Sequence, residues 1–188
     1  LTSNLYRPLR PRWSPDGRRI AFAARPGGNV DIYVVDAAGG PARRLTTHPD
    51  EDASAQWSRD GKWVYFASKR TGRRELWKIP ADSSGPEVQI TKEGGWYSRE
   101  SPDGQVLYFV KFEIPGIWRM PAAGGEETKI RDEYPWSSWD IVGNRIYYHD
   151  GPRIRSLDLA TGKITDITAA DPRMAPRTGG FSVTPDGK

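Results

Sequence analysis

The chain has no cysteine, only two histidines and only two methionines among 188 residues. The missing cysteine excludes disulfides, thiolate nucleophiles and cysteine-ligated metals. His48 and His149 are the sole candidates for an imidazole general base, and each reads as a surface or strand-end residue. No Gly-x-Ser-x-Gly elbow, phosphate-binding loop or His-Glu-x-x-His motif occurs. Long apolar runs are missing too: nothing approaches about 18 consecutive apolar residues, so no helical membrane span is expected. Basic residues never exceed a pair in succession, and Lys+Arg 28 against Asp+Glu 24 leaves a net charge of +4. That balance describes a solvated, mildly basic surface, with no nucleic-acid contact expected. These absences point to a non-enzyme that needs neither cofactor nor metal.

What the chain does have is repetition. Trp13-Ser14-Pro15-Asp16-Gly17 returns as Trp57-Ser58-Arg59-Asp60-Gly61, Glu100-Ser101-Pro102-Asp103-Gly104, Trp139-Asp140-Ile141-Val142-Gly143 and Val183-Thr184-Pro185-Asp186-Gly187. The glycines stand 44, 43, 39 and 44 residues apart, a spacing that belongs to stacked or radially repeated units. After each turn comes an apolar alternation of period two: Ile20 and Phe22, Val64 and Phe66, Leu107 and Phe109, Ile146 and Tyr148. Period two marks strands. A third segment follows at 31–36, 75–80, 116–121 and 153–158, and a short fourth closes on Leu45-Thr46, Ile90-Thr91, Ile130-Arg131 and Ile167-Thr168.

Ser-Pro-Asp-Gly is a turn with a mechanism: proline presets φ, aspartate bonds its own backbone, and glycine accepts the left-handed conformation. Four short antiparallel strands per 40 to 45 residues, with no helical periodicity, give an all-β chain built as a β-propeller of four-stranded blades. Complete blades are expected at about 11–46, 53–91, 97–131 and 136–168, with partial ones at 1–2 and 178–188. Both ends thus cut through a repeat, so the chain is expected to belong to a ring of six to eight blades, or to close by self-association.

The pattern Trp13-Ser14-Pro15-Asp16-Gly17-x-x-Ile20-x-Phe22, then Asp31 to Asp36, then Arg43-Arg44-Leu45-Thr46, resembles the bacterial WD40-like repeats of the TolB type, the PD40 repeats. The resemblance spans essentially the whole chain, although blade three loses the tryptophan and blade four loses Pro-Asp. It implies a binding or scaffold module of a periplasmic or extracytoplasmic bacterial protein, engaging a protein, a peptide or a small ligand. A second implied role is the substrate-gating propeller of a prolyl-oligopeptidase-like peptidase, whose triad would lie in another domain. A propeller lyase on acidic sugars is a third, and it requires His and Arg converging at the channel.

In this connectivity the loops between strands four and one, and between strands two and three, share one face and vary more than the Pro-Asp-Gly turns. Function in repeat rings usually sits on the variable face. The candidate partner-binding residues there are Asp50, Asp52, Arg70, Arg73, Trp96 and Tyr97, since Trp, Tyr and Arg dominate interface energetics. The acidic run Asp50-Glu51-Asp52 lacks the ligand spacing of a Ca²⁺ loop and reads as a solvated rim. Trp96, beside Gly94-Gly95, is expected to be exposed, whereas Trp136 is expected to pack between blades; Tyr134 is a further aromatic before an inner strand. Glu100 completes the set, because it breaks the tryptophan rule in one blade only. Trp13, Trp57 and Trp139 are expected to share one register and to pack on neighbouring blades.

Overall fold

The computed structural model describes residues 8–132, 139–150 and 153–168, so the partial repeats at the two ends and the aromatics Tyr134 and Trp136 lie outside the described residues. The described residues form sixteen strands and no helix. They are β1 (Leu9–Trp13), β2 (Arg19–Ala24), β3 (Asp31–Asp36), β4 (Arg43–Arg44), β5 (Asp52–Trp57), β6 (Trp63–Ser68), β7 (Glu75–Pro80) and β8 (Val88–Gln89), followed by β9 (Tyr97–Glu100), β10 (Val106–Val110), β11 (Ile117–Pro121), β12 (Thr128–Arg131), β13 (Trp139–Val142), β14 (Arg145–Asp150), β15 (Arg153–Asp158) and β16 (Ile164–Asp166). Each consecutive group of four is one antiparallel sheet in sequence order. These are four blades of a β-propeller.

The period-two residues do what the pattern implies. Val64 and Phe66 of blade two are buried with Ala21, Ile32 and Val34 of blade one, while Tyr65, Ala67 and Leu76 on the reverse face are buried with Leu107, Phe109 and Met120 of blade three. Tyr108, Val110 and Ile117 then meet Ile146, Tyr148 and Leu157 of blade four. Both faces of β6 and β10 are dry, because their blades are sandwiched by neighbours.

The turns between first and second strands owe their strength to serine as much as to proline. Ser14 Oγ donates to Asp16 Oδ1 at 2.5 Å and accepts from the Arg19 amide at 2.9 Å; Asp16 Oδ1 in turn accepts from the Arg18 amide. The same three bonds recur at Ser58–Asp60 and Ser101–Asp103. Gly17, Gly61 and Gly104 take φ of 68°, 68° and 71°, a region that L residues avoid. Blade two therefore keeps its turn although Arg59 replaces proline. The threonine closing the fourth segment has a comparable role: Thr46, Thr91 and Thr168 each accept a bond through Oγ1 from the second residue of the third strand.

The tryptophan register holds in part. Trp13 pairs with Ile20, Trp57 with Val64, and Glu100 with Leu107, but Trp139 pairs with Tyr148, and the residue opposite Ile146 is Ile141. Blade four has a two-residue turn at Gly143-Asn144, which shifts Trp139 two positions away from the shared register. Trp139 is still buried, against Tyr97 in an edge-to-face contact at 5.9 Å. Trp57 is buried too, whereas Trp13 is 61% exposed.

Candidate binding site at the inner strands

The first strand of each blade is its innermost, and these strands converge. Arg12 of blade one donates to the Tyr97 hydroxyl of blade three, and Arg59 of blade two reaches the Ile141 carbonyl of blade four at 3.4 Å. One register on these strands faces the convergence: Arg12 opposite Ala21, Gln56 opposite Tyr65, Arg99 opposite Tyr108 and Asp140 opposite Tyr147. All four residues line one cleft of about 200 Å³, with Trp13, Arg59 and Glu100 beside them. We term it the axial cleft. In the first three blades the position is the residue before the tryptophan or its substitute, and it carries Arg12, Gln56 and Arg99; in blade four the shifted register places Asp140, the residue after Trp139, there. That failure to repeat, at a position flanked by repeating ones, was the available signal.

The groups in the cleft differ in how far they are satisfied. Arg99 Nε donates to Asp140 Oδ1 at 3.0 Å, and a second Arg99 nitrogen reaches the Tyr97 hydroxyl at 3.0 Å. Burial by itself would raise the Tyr97 phenol, but the guanidiniums of Arg99 and Arg12 outweigh it and hold its pKa below the ordinary tyrosine value. The Arg99 guanidinium is pushed the other way: burial lowers it, and Tyr97 and Asp140 together more than restore it. By contrast, Arg12 Nε and Gln56 Nε2 are buried donors with no hydrogen-bond partner among the described residues, and Gln56 is only 4% exposed. Buried donors normally find an acceptor.

Glu100 is buried and satisfied. Its Oε1 accepts from the Tyr65 hydroxyl at 2.7 Å and its Oε2 from the Arg59 backbone amide at 2.6 Å. Burial, together with that carboxylate, drives the Tyr65 phenol well above the ordinary tyrosine range. The carboxylate also borders a cleft of about 480 Å³ between the turns of blades two and three, shared with Trp63, Lys78 and Asp103.

The remaining sequence candidates separate. Asp52 is not part of a solvated rim: it is fully buried at the start of β5 and receives two bonds of 3.0 and 2.9 Å from one Arg70 nitrogen. Arg70 is held between the Phe66 and Trp77 rings and also donates to Glu87, so the pair clamps the inner strand to the outer strands of its own blade. Blade three has a related buried pair, Lys111 over the Trp118 ring and paired to Glu127. Such a pair is chemically committed, since breaking it would strand a buried charge. Trp96, expected to be exposed, is half-buried, with Arg74 over its face at 4.4 Å and Phe112 against its edge. Asp50 is exposed and approached by His48, and Arg73 is partly exposed with its Nε on Glu75 at 2.9 Å. Neither histidine is among the residues lining the axial cleft, so the convergence of His and Arg that a lyase requires is not formed there.

Comparison with known proteins gives this geometry a family. A curated Agrobacterium fabrum protein, uncharacterised, is 33% identical over 102 residues, which is 54% of this chain and 35% of that protein. The uncharacterised peptidase YuxL of Bacillus subtilis is 50% identical over 40 residues, and the Tol-Pal system protein TolB of Anaeromyxobacter dehalogenans is 48% identical over 42. These matches span from 6% to 35% of the curated relatives' lengths. In fold, the chain is similar to TolB from Acinetobacter baumannii, with a TM-score of 0.69 at 21% identity over 88% of this chain and 44% of that one. It is also similar to a puromycin hydrolase, with a TM-score of 0.67 at 21% identity over 100% of this chain and 33% of that one. The model of the TolB β-propeller domain, PD40, matches residues 3–132. The chain therefore belongs to the TolB β-propeller family.

Proposed function

We propose that this chain is a non-catalytic binding module of an extracytoplasmic bacterial protein, and that its site for a protein or peptide partner is the axial cleft. The observation that carries this reading is the single register Arg12, Gln56, Arg99 and Asp140, drawn from four blades into one cleft with two donors unpartnered. The serine turns and the threonine closures, which serve the fold, each recur in three blades, and this register does not recur. Family membership and the TolB relatives support a binding role. The loop face, where Asp50, Arg73 and Trp96 stand, is the competing location.

The test is capture from a bacterial envelope extract on the immobilised chain, with identification of what is held. Arg12→Ala and Gln56→Ala are expected to release the captured protein, while Asp50→Ala, Arg73→Ala and Trp96→Ala retain it. The reverse pattern would move the site to the loop face.

A second reading, the substrate-gating propeller of a serine peptidase, is favoured by the similarity to the puromycin hydrolase over the whole chain and by the short match to YuxL. A hydrolase domain encoded in the same gene would decide for it, and the axial cleft would then border a substrate path.

A further inference from the structure

We propose that the axial cleft is a receptor for a carboxylate, held by the guanidinium of Arg12 and the side-chain amide of Gln56. The inference rests on the binding-module reading above and specifies its ligand chemistry. What the site lacks is an acceptor. Arg12 Nε and Gln56 Nε2 both donate, both lack a partner among the described residues, and both belong to residues that line the same cleft. The acceptors already present are committed: Asp140 to Arg99, and Glu100 to Tyr65 and the Arg59 amide.

The charge balance agrees. Arg12, Arg59 and Arg99 face Asp140 and Glu100 across the cleft, so three cations meet two anions and one positive charge is left over. A single negative charge cancels that excess, while a dianion such as phosphate would overshoot it beside two carboxylates. The same guanidiniums of Arg99 and Arg12 outweigh burial and hold the neighbouring Tyr97 phenol below the ordinary tyrosine value. Carboxylate oxygens suit a guanidinium Nε and a neighbouring amide N–H, and such charge-assisted bonds are the strong ones. Trp13, which lines the cleft and is 61% exposed, offers an indole plane for the residue that bears the carboxylate. The carboxylate could come from a chain end or from an Asp or Glu side chain, and both present the same two oxygens.

The experiment is a titration of the isotopically labelled 188-residue chain, read by NMR at the Arg12 Nε–H and Gln56 side-chain amide. Three probes are used: N-acetyl-alanine, N-acetyl-alanine amide and N-acetyl-aspartic acid α-amide. The first is expected to shift both resonances saturably and the second not at all. The third tells whether a side-chain carboxylate serves as well as a terminal one. Arg12→Gln is expected to weaken the acid probe by at least about tenfold, the scale of one lost charge-assisted bond. Gln56→Leu provides an independent variant should Arg12→Gln fold poorly. Equal shifts from acid and amide, shifts reproduced by chloride alone, or unchanged affinity in a folded variant would each overturn the proposal. If an envelope protein is captured but neither the acid probe nor Arg12→Gln displaces it, the carboxylate inference falls and the binding module stands. If nothing is captured but the acid probe still saturates, the carboxylate site stands and the protein-binding reading falls.

Discussion

The seam between blades one and two and the seam between blades two and three solve one packing problem with different chemistry. In the first, Trp57 lies in the same buried cluster as Ala21, caps the Arg12 carbonyl with its indole N–H at 3.0 Å and carries Arg19 over its ring at 4.8 Å. In the second, Glu100 holds the register of Trp57 and Tyr65 that of Ala21, so the bulk has moved from one blade to the other. The transfer brings a phenol that needs an acceptor, which Glu100 provides, and a carboxylate that needs a second donor. That donor is the Arg59 amide, at the position where blade one has Pro15 and no N–H. The three differences between the two seams (Arg59 for Pro15, Tyr65 for Ala21 and Glu100 for Trp57) are thus one substitution in physical terms. In the third seam Tyr108 and Ile141 occupy those registers in one buried apolar cluster, and Pro102 stands at the position of Arg59. What the seams share is volume, and a repeat can lose residue identity provided volume and hydrogen bonding are balanced.

The largest test of this comparison is Trp57→Ala, expected to cost about 3 to 5 kcal/mol in urea unfolding because a large aromatic leaves a cavity against Ala21. A loss below about 1 kcal/mol would mean that the apolar seam is not held by its tryptophan. Next comes Arg59→Pro. The backbone accepts proline at the equivalent Pro15 and Pro102, so the expected cost, about 1 to 3 kcal/mol, is that of a buried carboxylate oxygen left without its donor. Adding Glu100→Ile, the solution of the third seam, should recover at least part of it, and a further loss would show that the two positions are not linked.

Tyr65→Phe removes the partner of Glu100 Oε1 and is expected to cost about 1 to 2 kcal/mol near neutral pH, checked by the same unfolding measurement. Its pH dependence has a definite sign. Burial and the Glu100 bond raise the folded pKa of Tyr65 above its unfolded value of about 10. Its contribution is therefore complete below about pH 10 and declines as the unfolded chain ionises above it, so the variant should show a shallower alkaline loss. Tyr97 moves the other way, and absorbance titration near 295 nm should find one tyrosine ionising ahead of the rest, with that early step absent in Tyr97→Phe.

The smallest effect belongs to the turns. Ser14→Ala is expected to cost about 1 kcal/mol by freeing the Arg19 amide and the Asp16 carboxylate. The Ser14 hydroxyl and the Arg18 amide hold Asp16 below the ordinary carboxylate range. That contribution is present above the unfolded pKa and is lost as pH falls through the folded one, so the variant should differ least from the parent in strong acid.

The sequence alone determined the blades. Local turn chemistry, a period of two and a spacing near 43 residues depend on neighbours in the chain, and they specify strands, hairpins and a repeated sheet wherever the rest of the molecule lies. It singled out Glu100 as the residue that breaks the tryptophan rule and Tyr97 as an aromatic before an inner strand. It did not reveal that Asp52 and Arg70 are buried and Trp96 half-buried, because burial follows from which side chains close over a loop. For Asp52 that is Arg70, eighteen residues along the chain. The shift of Trp139 out of register was equally hidden, since a turn two residues shorter moves the pairing without altering the distance from tryptophan to glycine. Only the tertiary structure decided the axial cleft: Arg12, Gln56, Arg99 and Asp140 are some forty residues apart from one to the next, and nothing but the convergence of four inner strands brings them together.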